Sequence, residues 1–182
     1  MKIITAIENY DLKPGEISLF LAGGITNCPD WQSAIIKRLE EYYNLENLVV
    51  FNPRRENFPI GDRNESYKQI EWEFKYLEKV DIFSMYFCSG ESDQPICMYE
   101  LGRNIVRMQT KYPVSWKDRI IITVENGYKR KVDVYIQSAL AGLRIMPFDD
   151  GEMSKIYHCD MIALKYKLLK ERDNIWDMIK KQ

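Results

Sequence analysis

The sequence predicts a three-layer α/β sandwich, flavodoxin-like or Rossmann-like, with a five-stranded, mostly parallel sheet and helices on both faces. Three observations carry this expectation. Short, continuously apolar runs recur along the chain. Amphipathic stretches long enough for helices separate them, and turn residues close most of the runs. Alternation of this kind calls for parallel strands covered on both sides.

Taken in order, Ile17-Ser-Leu-Phe-Leu-Ala22 is the first predicted strand, closed by Gly23-Gly24. A helix follows Pro29-Asp30, with Asp30 as its cap, and runs to about Tyr43. Leu48-Val-Val-Phe51 is the second strand, stopped by Asn52-Pro53. Residues 54–64 form a polar loop holding Arg54, Arg55, Gly61 and Asp62, and a helix spans about 66–79. The third strand covers 80–87, a polar loop runs from Cys88 to Gln94, and a helix spans about 95–108, with Pro95 suited to its first position. Arg119-Ile-Ile-Ile-Thr-Val124 is the fourth strand, Val132 to Ala141 a helix, Leu143 to Met146 a short fifth strand, and about 151–181 a long C-terminal helix. The order 2-1-3-4-5 would place the switch point, where open α/β sheets bind ligands, at the ends of strands 1 and 3.

Length and composition bound the function. A chain of 182 residues reads as a single domain, 1–182, with a full core. An apolar share of 46% and a charged share of 29% are those of a soluble globular protein. A net charge of −1 argues against a nucleic-acid polymer as partner, though not against a single nucleotide. No apolar run approaches ~18 residues, so no membrane association is expected, and the N-terminus has no leader-like apolar segment. The cysteines Cys28, Cys88, Cys97 and Cys159 lack C-x-x-C spacing and read as reduced thiols of a cytoplasmic protein. The single histidine, His158, reads as a helix-surface residue, and no metal site is expected.

Two carboxylates stand out. Glu100 lies in the opening Pro95-Ile-Cys-Met-Tyr-Glu-Leu-Gly102, among residues that otherwise read as packing. An ionised carboxylate in such company needs a partner or a task. Arg103 and Asn104, at i+3 and i+4, are possible local partners, and Gly102 leaves room for a ligand to approach. In the helix 66–79, Ile70, Phe74 and Leu77 form an apolar stripe, and Glu73 lies toward it, whereas Glu71 and Glu78 fall toward solvent. A half-buried glutamate holds a proton near neutral pH, as a general acid must. The alternative for Glu73 is an ion pair with Arg54 or Arg55. Two carboxyls from different helices at one crevice resemble a glycosidase pair. Gly23-Gly24 permits close approach of backbone amides to a ligand, but neither a G-x-G-x-x-G fingerprint nor a Walker loop is present. Arg54 and Arg55 are candidates for a phosphate, though pairing with Glu71 and Glu73 competes for them.

Five motifs in order resemble one family: Leu19-Phe-Leu-Ala-Gly-Gly-Ile25, Asn52-Pro-Arg-Arg55, Gln69-Ile-Glu-Trp-Glu73, Val80-Asp-Ile82 and Pro95-Ile-x-x-x-Glu-Leu-Gly102. They resemble the nucleoside 2-deoxyribosyltransferase-like proteins, most closely the divergent second branch. Gly127-Tyr-Lys-Arg130, Val132-Asp-Val and Gln137 extend the likeness, which runs from about Ile17 to Leu143. The resemblance implies that Glu100 is the nucleophile and that Glu73, eight residues before Asp81, protonates the departing base. It implies that Gly23 and Gly24 border the base and sugar pocket, that the substrates are a nucleoside or nucleotide and a free base, that no cofactor is needed, and that the protein is a homo-oligomer. Transfer to a second base, hydrolysis, and non-catalytic binding are the three readings it leaves open. Where classical members carry an aromatic residue this chain has Gly24, and where they carry a sugar-holding carboxylate it has Gln94, with Asp93 adjacent as a substitute.

Overall fold

The computed structural model describes residues 1–59, 61–145 and 151–180, with side chains of the last helix described through residue 175. Its sheet has five parallel strands: β1 Lys2–Thr5, β2 Ile17–Gly23, β3 Leu48–Asn52, β4 Ile82–Phe87 and β5 Ile120–Val124, in the order β1-β3-β2-β4-β5. The helices are α1 Trp31–Tyr42, α2 Arg63–Lys79, α3 Pro95–Lys111, α4 Lys131–Leu140 and α5 Gly151–Lys180, with one 3-10 turn at Trp116–Arg119. The three-layer α/β class is as the sequence predicts. The predicted strands 2-1-3-4 reappear as β3-β2-β4-β5.

The fifth strand differs. Residues 143–145 carry no strand, and Met146 lies outside the described residues. The apolar character of this segment reflects burial alone, since Leu143 packs into the core from a turn. The fifth strand is instead β1, at the opposite edge, in register with β3 from Lys2↔Val49 to Thr5↔Asn52. Four residues at the extreme N-terminus are too short a run to reveal a period.

Every residue of β3 and β4 is buried, as expected of central parallel strands, and so is every residue of β5 although it lies at an edge. One face packs against α2, α3 and α4 through Trp72, Tyr76, Leu77, Leu101, Met108 and Val134. The other packs against α1 and α5 through Trp31, Ile35, Leu39, Cys159, Ile162 and Tyr166. Ile162, Tyr166 and Leu169 of the predicted α5 stripe thus cover the chain's own sheet. Trp176 and Ile179 lie where side chains are not described.

Helix starts follow local chemistry. Asp30 caps α1 by accepting from Ser33 N at 3.1 Å. Asp62 caps α2 through Asn64 N and Glu65 N, so that helix begins three residues earlier than predicted. Asp81 anchors the start of β4 to β2, accepting from Ser18 N (3.0 Å) and Ser18 Oγ (2.7 Å). It lies at the end of β4 remote from the switch point.

His158 is not on a surface. It is fully buried under the sheet, 2.5 Å from Ser84 Oγ and 2.8 Å from Thr123 Oγ1. The period of α5 places it on the sheet side, and two strand hydroxyls supply the partners that its ring requires. Burial holds its pKa down at about 3, so the ring is neutral.

Candidate active site

The chain runs from β2 outward to β3 and then back across to β4. The C-terminal ends of β2 and β4 therefore splay apart at the switch point. A cavity of about 250 Å³ opens there. Its wall comes from Ala22 and Gly23 of β2, the turn through Gly24, Ile25 and Thr26, Pro53 after β3, Glu73 of α2, Ser92 before α3, and Gln94 to Cys97 with Glu100 at the start of α3. A second lobe shares Ile25, Thr26, Pro53 and Glu73 with it and continues past Arg55, Phe58, Ser66, Gln69 and Ile70. Of the residues singled out from sequence, Gly23, Gly24, Glu73, Gln94 and Glu100 meet at the first lobe. Arg55 reaches only the second, while Arg54 and Asp93 line neither.

Among the described residues neither carboxyl has a cationic partner in hydrogen-bond or ion-pair contact. Glu73 accepts one hydrogen bond, from Gln69 Nε2 at 2.7 Å. Burial lifts its pKa to about 7, with that hydrogen bond opposing the rise. Among the described residues no hydrogen bond or ion pair reaches the Glu100 carboxyl. Arg103 turns away to Glu78, and Asn104 donates to the Glu100 backbone oxygen at 2.9 Å. Burial lifts the Glu100 pKa to about 8, assisted by the charge of Glu73 and opposed by the more distant Arg103. Burial and the mutual repulsion of the two carboxyls thus oppose full ionisation of the pair near neutral pH.

The local reasons for Glu73's burial differ from the predicted stripe. Ile70 and Phe74 are 63% and 57% exposed, and the buried face of α2 is Gln69, Trp72, Tyr76 and Leu77. Glu73 lies at the edge of that face, where the helix meets the cavity. In α3, likewise, Cys97 and Leu101 are buried but Ile96 and Tyr99 are exposed. Gly102 is exposed and outside the cavity, with nothing within 4 Å of the position its Cβ would take. It makes no room for a ligand.

The arginines have structural work. Arg54 staples the turn after β2. Its Nε donates to Gln32 Oε1 at 2.8 Å and lies 3.2 Å from Asp30, and its Nη2 donates to Pro29 O at 2.8 Å. Arg55 pairs with Glu65 at 2.9 Å. Neither arginine pairs with the predicted partners Glu71 and Glu73 among the described residues. Asp93 is exposed and lies 3.9 Å from Lys129.

The glycine pair is required by packing. A Cβ on Gly23, whose φ is +151°, would collide with Tyr86 O and the Trp31 ring. A Cβ on Gly24 would strike Cys28 Sγ and lie 2.6 Å from Gln94 Oε1. Gln94 is buried at the turn into α3 with φ +48°, its Nε2 donating to Cys88 O at 2.8 Å. The carboxamide thus fills the space above Gly24, so the two departures from the classical pattern are one feature.

Residues 16–134, more than half of the chain, match the profile of the family described as nucleoside 2-deoxyribosyltransferase like. The chain belongs to that family. Among curated proteins none matches it. The nucleoside 2-deoxyribosyltransferase-like stretch runs from the start of β2 into α4 and includes every residue of both lobes. Among the described residues no helix is long and apolar enough to cross a membrane. Sequence reasoning overlooked Gln69, Ser92 and Thr26 as lining residues. Gln69 was findable, since it opens the Gln69-Ile-Glu-Trp-Glu73 motif one turn before Glu73.

Proposed function

We propose that the protein cleaves the N-glycosidic bond of a nucleoside or deoxynucleoside through a covalent glycosyl ester on Glu100 and passes the sugar to a second free base. The observation that carries this reading is that Glu73 and Glu100, without a cationic partner among the described residues, line one cavity where burial raises the pKa of both. A nucleophile and a general acid need between them one negative charge and one proton.

The steps balance. The carboxylate of Glu100 attacks C1′ as the bond from C1′ to the base nitrogen breaks. The electron pair of that bond goes to the base, and the proton of Glu73 neutralises it. An incoming base then attacks C1′ from the face the first base left, Glu73 takes up its proton, and the ester bond to Glu100 breaks. Two displacements give net retention. Substrate sets which carboxyl holds the proton: a base nitrogen beside Glu73 favours its acid form, and positive charge developing on the sugar favours ionised Glu100. Arg54 and Arg55 are committed to Asp30 and Glu65, which favours unphosphorylated substrates.

The test is incubation with pooled nucleosides, deoxynucleosides and their monophosphates, with and without a second free base, read by mass spectrometry. New nucleosides only when the second base is present are the expected result. Free base and free sugar in both series would replace transfer with hydrolysis. Intact nucleosides from folded, nucleoside-binding protein would replace catalysis with ligand capture.

A further inference from the structure

Gln69 sits one turn before Glu73 on α2, and its side chain is buried. Its Nε2 has two hydrogens and uses both, donating to Pro53 O at 2.6 Å and to Glu73 Oε1 at 2.7 Å. A backbone carbonyl only accepts, so Pro53 fixes which end of the amide faces it, and the same nitrogen faces Glu73. The reversed amide would set acceptor against acceptor at Pro53. Gln69 Oε1 is buried without a hydrogen-bond partner among the described residues, so the amide keeps this orientation despite an unmet acceptor.

We propose that Gln69 is a positioning residue that dictates which oxygen of Glu73 carries the transferable proton. Oε1 is committed as an acceptor to an N–H and cannot also present a hydrogen along that line. A proton on Glu73 therefore resides on Oε2, the oxygen free to meet a ligand. This rests on the general-acid role of Glu73 proposed above. As the base departs, the proton leaves Oε2 for a base nitrogen, and the N–H from Gln69 stabilises the carboxylate that remains. The titratable or charged groups that face Glu73 are Glu100 and Cys97 from α3 and Arg55 from the segment after β3. Sheet residues at this wall, Phe20, Ala22 and Gly23, do not titrate.

The experiment is a carboxyl-carbon NMR titration of Glu73 in the Glu100→Gln background, which removes the coupled neighbour, with and without Gln69→Met. Loss of the N–H should raise the Glu73 pKa by about one unit, because that hydrogen bond favours the charged form. An unchanged or lowered pKa overturns the proposal. Unsubstituted protein supplies a second reading. The Gln69 side-chain amide resonances should move with the midpoint of Glu73, and amide resonances indifferent to that titration also overturn it. In base exchange, Gln69→Met should lower kcat at least tenfold with KM little changed, and an equal rise in KM would reduce Gln69 to a packing residue. The titrations need no substrate. If they succeed while no base exchange is found, the catalytic reading fails and the orientation of Glu73 stands.

Discussion

Two groups of buried polar side chains flank the same sheet, and they are built on opposite rules. On the α5 side each acceptor meets a donor. Glu125 accepts from Tyr86 Oη, Ser89 N and Ser89 Oγ, all at 2.6 Å, with Lys155 at 3.8 Å, and His158 has Ser84 and Thr123. At the switch point Glu73 has one neutral donor, and no hydrogen bond or ion pair reaches the Glu100 carboxyl among the described residues. The arginines of the neighbouring segments, Arg103, Arg54 and Arg55, are tied to Glu78, Asp30 and Glu65. A satisfied buried carboxylate holds a structure together, whereas an unsatisfied pair stores protonation energy for a ligand to use.

The sharpest way to break this contrast is substitution at Glu100. Glu100→Gln should lower base exchange by on the order of 10³-fold or more, as loss of a covalent nucleophile does. Retention of full turnover would place Glu100 with the structural carboxylates. Glu73→Gln should cost roughly 10²-fold for poor leaving bases and less for bases that depart without protonation. Equal losses across a leaving-group series would remove its acid role.

The opposite group should respond in stability. Glu125→Ala strands the Tyr86 hydroxyl and the Ser89 amide, and denaturant unfolding should show a loss of about 3 kcal/mol. A loss below ~0.5 kcal/mol would mean that these hydrogen bonds do not hold the end of β5 to β4.

The smallest and most discriminating effect is in pH. The folded pKa of Glu100, about 8, lies above its ordinary 4.5, so the contribution of this carboxyl to stability is fully present below pH 4.5 and is lost as pH rises through 8. Glu100→Gln, neutral throughout, should match wild type at pH 4.5 and exceed it by on the order of 2 kcal/mol at pH 8.5. His158 has the other sign. Its folded pKa of about 3 lies below the ordinary 6.5, so its contribution is present above pH 6.5 and declines as pH falls toward 3. Unfolding curves at pH 4.5, 6.5 and 8.5 check both, and a Glu100→Gln advantage independent of pH would contradict the raised pKa.

What could be read from the sequence follows from how local each signal is. Four of the five strands and the α1 cap at Asp30 rest on contiguous runs and a local cap, and the structure has them. Glu73 and Glu100 do line one cavity, but the stripe that pointed to Glu73 is not the buried face of α2. Strand β1 and the irregular path after Gly142 depend on which edge of the sheet is open, which no short window encodes. The arginine partners and the burial of His158 depend on residues 10 to 74 positions away. Ile70 and Phe74 misled because apolar residues also occur on exposed helix faces. The glycine pair was noticed for its freedom, but its necessity comes from Trp31, Tyr86, Cys28 and Gln94, which only the packed structure brings together.

The measurement that bears most directly on the central claim is peptide mass spectrometry of protein quenched in acid within seconds of meeting a nucleoside that the exchange assay shows to be a substrate. The account predicts a single added pentosyl or deoxypentosyl group on the peptide containing Glu100, absent from Glu100→Gln and discharged when a free base is supplied before the quench. Base release with no sugar on that peptide at any quench time, or a sugar on another residue that turns over at the same rate, would contradict it.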